Sequence, residues 1–198
     1  MRIYVETNFI LELILEQAQL DDAERLIELA RAGSVELVLP ALSLLEAYGT
    51  VHRRDAERRD LLRRMENELL QVGRSRFMKE ESARVREVLA TATNWNSAQF
   101  QSVRARVLEH CRLLPLDAAT HDAAGALESE HDLSVPDALI FACILRDLEA
   151  SPAIALFVTT NFKDFNVPSV TAALASAQCE LVTKFSSACA RAEALPPR

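Results

Sequence analysis

The stretch from Leu133 to Phe165, LSVPDALIFACILRDLEASPAIALFVTTNFKDF, limits what this chain can fold into more than any other. Leu139, Ile140, Cys143, Ile144 and Leu148 recur at three- and four-residue steps, the period of a helix buried along one face. Ser134 fits its N-cap. Pro136 fits the first turn, where a missing N–H costs nothing. Asp137 then projects from the first turn of an otherwise apolar helix. A short β-branched and aromatic run, Ile154 to Val158, reads as a central strand and ends in Thr159-Thr160-Asn161, with Asp164 just beyond. Helix start and strand end therefore bring two acidic groups toward one sheet edge, outside the carboxyl ends of strands, where open α/β sheets collect their ligands.

The rest of the chain repeats this rhythm. Arg2 to Val5 reads as a strand ending at Glu6-Thr7-Asn8, followed by an apolar helix from Phe9 to Leu15. Asp21 or Asp22 caps a second helix that Gly33 stops. Val35 to Leu39 is the next strand, and after Pro40 a helix carries Glu46 about two turns in. Two strand–helix units in succession favour a parallel sheet. Residues 53–112 depart from the pattern and read as three helical stretches, 53–70, about 76–92 and about 98–111, separated by Gly73 and by Thr93-Asn94-Trp95-Asn96-Ser97. Leu61, Leu62, Met65, Leu69 and Leu70 are expected to form one packing face. The chain is thus expected to be a single domain over 1–198 with a helical insertion or arm at about 53–112. Strand–helix order resumes with Leu113 to Leu116, then a helix from Asp117 or Thr120 to about Glu128. Val167 precedes a Pro-Ser turn, Ala172 to Ala177 is a short helix or an irregular run, Glu180 to Phe185 is an edge strand, and 186–198 is expected to fray.

Composition narrows the class. A hydrophobic content of 49% over 198 residues supports a globular core. Four cysteines, Cys111, Cys143, Cys179 and Cys189, stand too far apart for a metal or redox motif and are read as reduced thiols, two of them in the core. No run has the length of a membrane span, and the opening MRIYV looks neither like a signal nor like a transit peptide, so a cytoplasmic location and no membrane partner are expected. The net charge of −7 divides unevenly: residues 53–112 hold fourteen basic and nine acidic groups, while the flanking parts are strongly acidic. A cation-binding pocket beside a phosphate-contacting surface produces that division. So do long solvated helices rich in Arg and Glu. Arg53, Arg54, Arg58, Arg59, Arg63 and Arg64, with Arg74, Arg76 and Lys79, offer phosphate partners without a base-reading code. Trp95 and Phe100 are read as core or dimer packing ahead of base stacking.

Four acidic positions fall at strand ends or helix starts: Glu6, Glu46, Asp137 and Asp164. Hard divalent cations take carboxylate and water oxygens, and a pair of such ions supports phosphodiester hydrolysis. Singly, Glu46 is also a solvent-facing helix residue and Asp137 a capping carboxylate. Their joint placement carries the case.

Taken together, Tyr4-Val5-Glu6-Thr7-Asn8, Glu46, Leu133-Ser134-Val135-Pro136-Asp137-Ala138-Leu139-Ile140 and Val158-Thr159-Thr160-Asn161-Phe162-Lys163-Asp164-Phe165 resemble the four ordered motifs of the PIN domain family, which includes the toxin ribonucleases of toxin–antitoxin pairs. The resemblance spans most of the chain apart from 53–112. It implies an α/β/α sandwich around a central parallel sheet and a ribonuclease site dependent on Mg2+ or Mn2+. It implies metal-binding and catalytic roles for Glu6, Glu46, Asp137 and Asp164, with Thr7, Asn8, Thr159 or Thr160, and Asn161 supporting them. RNA in single-stranded or looped form, an antitoxin protein and a second copy of the chain are the implied partners, with RNA reached through Arg53, Arg54, Arg58 and Arg59. Two positions depart from the pattern: Glu6 stands where the family usually has aspartate, and the neutral Asn161 where many members carry a fourth. These departures favour the alternative, a PIN-like module that binds RNA or protein with weak catalysis or none.

Overall fold

A computed structural model of the chain describes residues 1–194, less the side chains at 93, 94 and 97. In chain order the elements are β1 (Arg2–Val5), α1 (Thr7–Leu15), α2 (Leu20–Arg31), β2 (Glu36–Pro40), α3 (Ala41–Val72), α4 (Lys79–His110) and β3 (Cys111–Leu114). They continue with α5 (Ala118–His131), α6 (Val135–Ala150), β4 (Ala155–Val158), α7 (Phe162–Phe165), α8 (Pro168–Ser176), β5 (Cys179–Val182) and α9 (Phe185–Glu193). Residues 195–198, the end of the segment expected to fray, lie outside the described residues; 186–193 form most of α9 instead of fraying.

All strand pairs are parallel, in the order β3-β2-β1-β4-β5. Parallel neighbours need crossovers, and these lay helices on the sheet's two faces. Side chains alternate across a strand, so Tyr4, Val38 and Phe157, partners in register, point the same way. They join one core with Leu139, Phe141 and Ile144 of α6, Phe165 of α7 and Val170 and Leu174 of α8. The intervening positions Ile3, Leu37 and Leu156 are equally buried, and on the α1–α2–α9 side Phe9 meets Phe185 edge-on at 5.5 Å. The architecture is the expected α/β/α sandwich. β5 is the edge strand, although it begins at Cys179 and ends at Val182, and Phe185 opens α9.

The helix starts obey local chemistry. Ser134 caps α6, Pro136 sits in its first turn, and Asp117 caps α5 by accepting from the Thr120 N–H at 2.8 Å. Gly33, at φ +73°, takes the left-handed turn after α2. Pro168, expected in a turn, instead opens α8, where a proline's fixed φ is already helical. All four cysteines are free and buried, not two.

By internal contacts the chain divides into two compact units, Met1–Ala47 with Val103–Arg198, and Tyr48–Ser102. In the region expected to hold three helices there are two long ones. The first is continuous with the helix begun at Ala41, and the Thr93–Ser97 break is absent, since α4 runs through it. Cys111, expected to end the last helical stretch, instead opens β3, and Arg112 follows it in that strand. Gly73 does end the first helix, at a close approach: an added Cβ would lie 2.9 Å from Ser82 Oγ and 3.0 Å from the Leu69 carbonyl. Of the expected packing face only Leu69 is buried, whereas Leu61 and Leu70 are exposed. Among the described residues no helix is long and apolar enough to cross a membrane.

The amino ends of the strands are tied by charge. Arg2, buried at the start of β1, donates to Glu36 Oε2 at 2.9 Å, to Asp147 Oδ2 at 3.1 Å and to the Ser151 carbonyl at 2.8 Å. Arg112 holds Asp147 bidentately, both bonds 2.8 Å, and the Tyr4 hydroxyl donates to the same carboxylate at 2.6 Å. Burial pulls the Asp147 carboxyl up, yet Arg112, Tyr4 and Arg2 together leave it below its ordinary value. Removing one member strands buried charge. Asp147→Ala is therefore expected to cost about 2–4 kcal/mol in urea unfolding, and Tyr4→Phe, which removes a hydrogen bond to a charged group, about 2 kcal/mol. Equal and negligible losses in both would show that the network does not hold the sheet.

Candidate active site at the carboxyl ends of β1 and β4

The strand order reverses direction between β1 and β4: β2 and β3 continue on one side of β1, β4 and β5 on the other. The carboxyl ends of strands at such a switch point are the usual ligand position in open α/β sheets. Val5 pairs with Val158 in register, so the next residues, Glu6 and Thr159, emerge side by side. The Thr159 hydroxyl donates to Glu6 Oε1 at 2.9 Å. Glu6 is also the N-cap of α1, its Oε2 accepting from the Asn8 backbone N–H at 3.0 Å. Both carboxylate oxygens are thus engaged by neutral donors.

The network extends from there. The Asn161 N–H donates to Thr159 Oγ1 at 2.9 Å, and its side-chain amide donates to Asp137 Oδ1 at 3.3 Å. Asp137 Oδ2 accepts from the Ser134 hydroxyl at 2.5 Å, and its own N–H faces that oxygen at 3.4 Å. The cap of α6 is thus Ser134, and the Asp137 carboxylate accepts that residue's hydroxyl instead of capping the helix itself. Thr7, next to Glu6, donates its hydroxyl to Glu46 Oε2 at 2.5 Å. The structure thus brings Glu6 and Asp137 together through Thr159 and Asn161, and places Glu46 beside Thr7.

Electrostatics connects the same residues. Burial raises the Glu6 carboxyl to about 7; the bonds from Asn8 and Thr159 oppose the rise, and Glu46 adds to it. Glu46 is raised by burial, with Thr7 opposing and Asp137 adding. Asp137 is raised by burial, with Ser134 and Asn161 opposing and Asp164 adding. Asp164, on the exposed side of α7, reaches the group only through this repulsion. Each acid in the series feels the negative charge of the next.

Some supporting roles differ from expectation. The hydroxyl that reaches Glu6 belongs to buried Thr159; Thr160 is exposed, and its carbonyl accepts from the Phe162 N–H at 2.9 Å. Asn8 acts through its backbone. The strand register could have chosen Thr159 over Thr160, because the position after Val158 must stand beside the position after Val5. Among the described residues no group of three or more His, Cys, Asp or Glu side chains is placed to hold a metal ion. In the Tyr48–Ser102 unit, Arg58 is committed to buried Asp55 at 3.1 Å and Arg63 to Asp60, while Arg53 and Arg59 are exposed.

A parallel sheet between helical layers, with acidic residues gathered at its switch point, defines an α/β/α protein of the acidic-crevice class. A family model described as the PIN domain matches residues 3–165, and the chain belongs to the PIN domain family. Among solved structures, the crystal structure of VapBC2 from Rickettsia felis bound to a DNA fragment from their promoter is similar at 17% identity with a TM-score of 0.48, over 92% of this chain and 100% of that one. No curated protein sequence matches the chain.

The Glu6 carboxyl gives a sign-defined pH dependence. In the folded chain it keeps its proton up to about 7, against an ordinary value of 4.5 when unfolded. Between these values the folded state binds more protons, so Glu6's contribution is full below pH 4.5 and is lost as pH rises through 7. The loss is on the order of 3 kcal/mol. Glu6→Gln is expected to flatten the stability curve over that window in urea unfolding. An unchanged slope would show that Glu6 is ionised in the folded protein throughout.

Proposed function

We propose that this chain is a PIN-domain RNA-binding module whose acidic crevice is at most weakly catalytic. One observation carries the reading: Glu6, Glu46 and Asp137 each already accept hydrogen bonds from protein donors, and Glu6 titrates near neutrality. A hard cation would have to share those oxygens with the protein donors, and at Glu6 it would compete with a proton up to about neutrality. At position 161 the neutral amide points hydrogen, not oxygen, at Asp137. Residues 1–198 are read as one PIN-like domain with Tyr48–Ser102 as its helical insertion, because the family match runs through that unit. RNA contact falls to Arg53, Arg54 and Arg59, with Arg58 shared with Asp55.

A second reading is favoured by the mutual repulsion of the acids. Glu6, Glu46, Asp137 and Asp164 each raise a neighbour, or are raised by one, and a divalent cation relieves that. On this reading the chain is an Mg2+- or Mn2+-dependent ribonuclease, with those four carboxylates as ligands and Thr7, Asn8, Thr159 and Asn161 in support. A toxin role with an antitoxin partner belongs to this reading.

Calorimetric titration of Mn2+ separates the two. The binding module is expected to show a Kd of about a millimolar or weaker, with RNA affinity unchanged within about twofold by Asp137→Asn. Tight Mn2+ binding, together with RNA cleavage that Asp137→Asn abolishes in a folded protein, would establish the nuclease instead.

A further inference from the structure

In the Tyr48–Ser102 unit, Tyr48 and His52 lie one turn apart on α3, their rings nearly parallel at 12° with centroids 5.9 Å apart. Phe100 of α4 backs the Tyr48 ring at 5.3 Å. Tyr48 is 49% exposed, whereas Val51, Asp55 and Phe100 beneath are buried. These residues and Gln101 line a recess of about 220 Å³. That is below the roughly 300–1,000 Å³ of drug-sized ligand pockets. An open aromatic ledge over a small recess suits one flat ring.

The charge beside it is positive. Residues 53–64 hold six arginines against three acids, and two of those acids are already paired, Asp55 with Arg58 and Asp60 with Arg63. Exposed Arg59 stands seven residues after His52 on the same helix face, about 10 Å along the axis. Stacking surface and cation are thus spaced for a base and a phosphate further along its strand.

We propose that the Tyr48–His52 ledge is a base-stacking site for single-stranded RNA, with the following backbone held at Arg59. Stacking tolerates any base because every base has a π-face, and the arginine supplies the salt-sensitive part of the affinity. The proposal rests on the RNA-binding reading above and adds to it the site and the strandedness of the ligand.

The test is fluorescence anisotropy with a labelled single-stranded oligoribonucleotide, the same strand with abasic positions, and its duplex. Tyr48→Ala is expected to weaken single-strand binding roughly 5- to 150-fold, and Tyr48→Trp to restore it to within about threefold. Arg59→Ala is expected to reduce the log–log salt slope by about one. Abasic and duplex probes are expected to bind wild type and Tyr48→Ala alike. Equal single-strand affinity for wild type and Tyr48→Ala, or failure of Tyr48→Trp to restore binding while the protein stays folded, would overturn the stacking site and leave RNA binding intact. Absence of any RNA binding by wild type would overturn both. Loss of self-association on Tyr48→Ala, with RNA affinity unchanged, would assign the ledge to a second copy of this chain and likewise overturn the proposal.

Discussion

The pairing of β1 with β4 is the constraint on which the site depends. It is the point where strand order changes direction, and its register sets Val5 beside Val158. Nothing local in either sequence motif brings Glu6 to Thr159. The sheet does, because both follow paired residues at the same end. A shift of one residue would turn the side chains of β4 over and remove Thr159 from Glu6. Such a shift would also take Phe157 out of the core it shares with Tyr4, Val38, α6, α7 and α8 and put Leu156 in its place, which costs the fit of that packing. Core packing thereby fixes the chemistry of the crevice.

What the crevice does with its charge follows from that placement. A carboxylate under the sheet edge loses most of its water, and the cost has three remedies: a proton, a cation or hydrogen-bond donors. Here donors act first. Asn8 and Thr159 serve Glu6, Thr7 serves Glu46, and Ser134 and Asn161 serve Asp137. A hydrogen bond to a charged group contributes about 1.5–3 kcal/mol net. Two of them do not offset Glu6's burial, and its carboxyl stays raised to about 7.

Much of this was legible in the sequence, unevenly. The first strand, the capped start of α6 and the acid positions follow from short-range signals, in which a proline, a serine cap and an alternating run each have one mechanical meaning. Glu46 and Thr7 were separately visible, but their bond depends on how α3 leaves β2, which no local pattern encodes. The long helices misled for the opposite reason. Asn, Thr and Ser lower helix propensity by well under about 1 kcal/mol each, so a cluster of them marks a break only where tertiary contacts do not favour the helix. Likewise Leu61 and Leu70 looked like core by type, yet both are exposed, Leu70 although it follows the buried Leu69. The aromatic pair Tyr48 and His52 carried a signal, one helical turn of spacing, that becomes meaningful only once Phe100 is known to lie against it.

β1 also shows how differently the two ends of this sheet meet the cost of burying an ionisable group. Its first residue, Arg2, and the residue after its last, Glu6, are both buried ionisable groups. Arg2 is met by Glu36 and Asp147, full opposite charges, and that end of the sheet is neutralised. Glu6 is met only by neutral donors and by the repulsion of Glu46. The two ends carry the same kind of burial cost and are compensated differently, by opposite charge at the amino end and by neutral hydrogen bonds and a raised carboxyl at the other. By linkage, any positive charge that binds the folded carboxyl end and not the unfolded chain stabilises the protein by an amount that grows with the logarithm of its affinity.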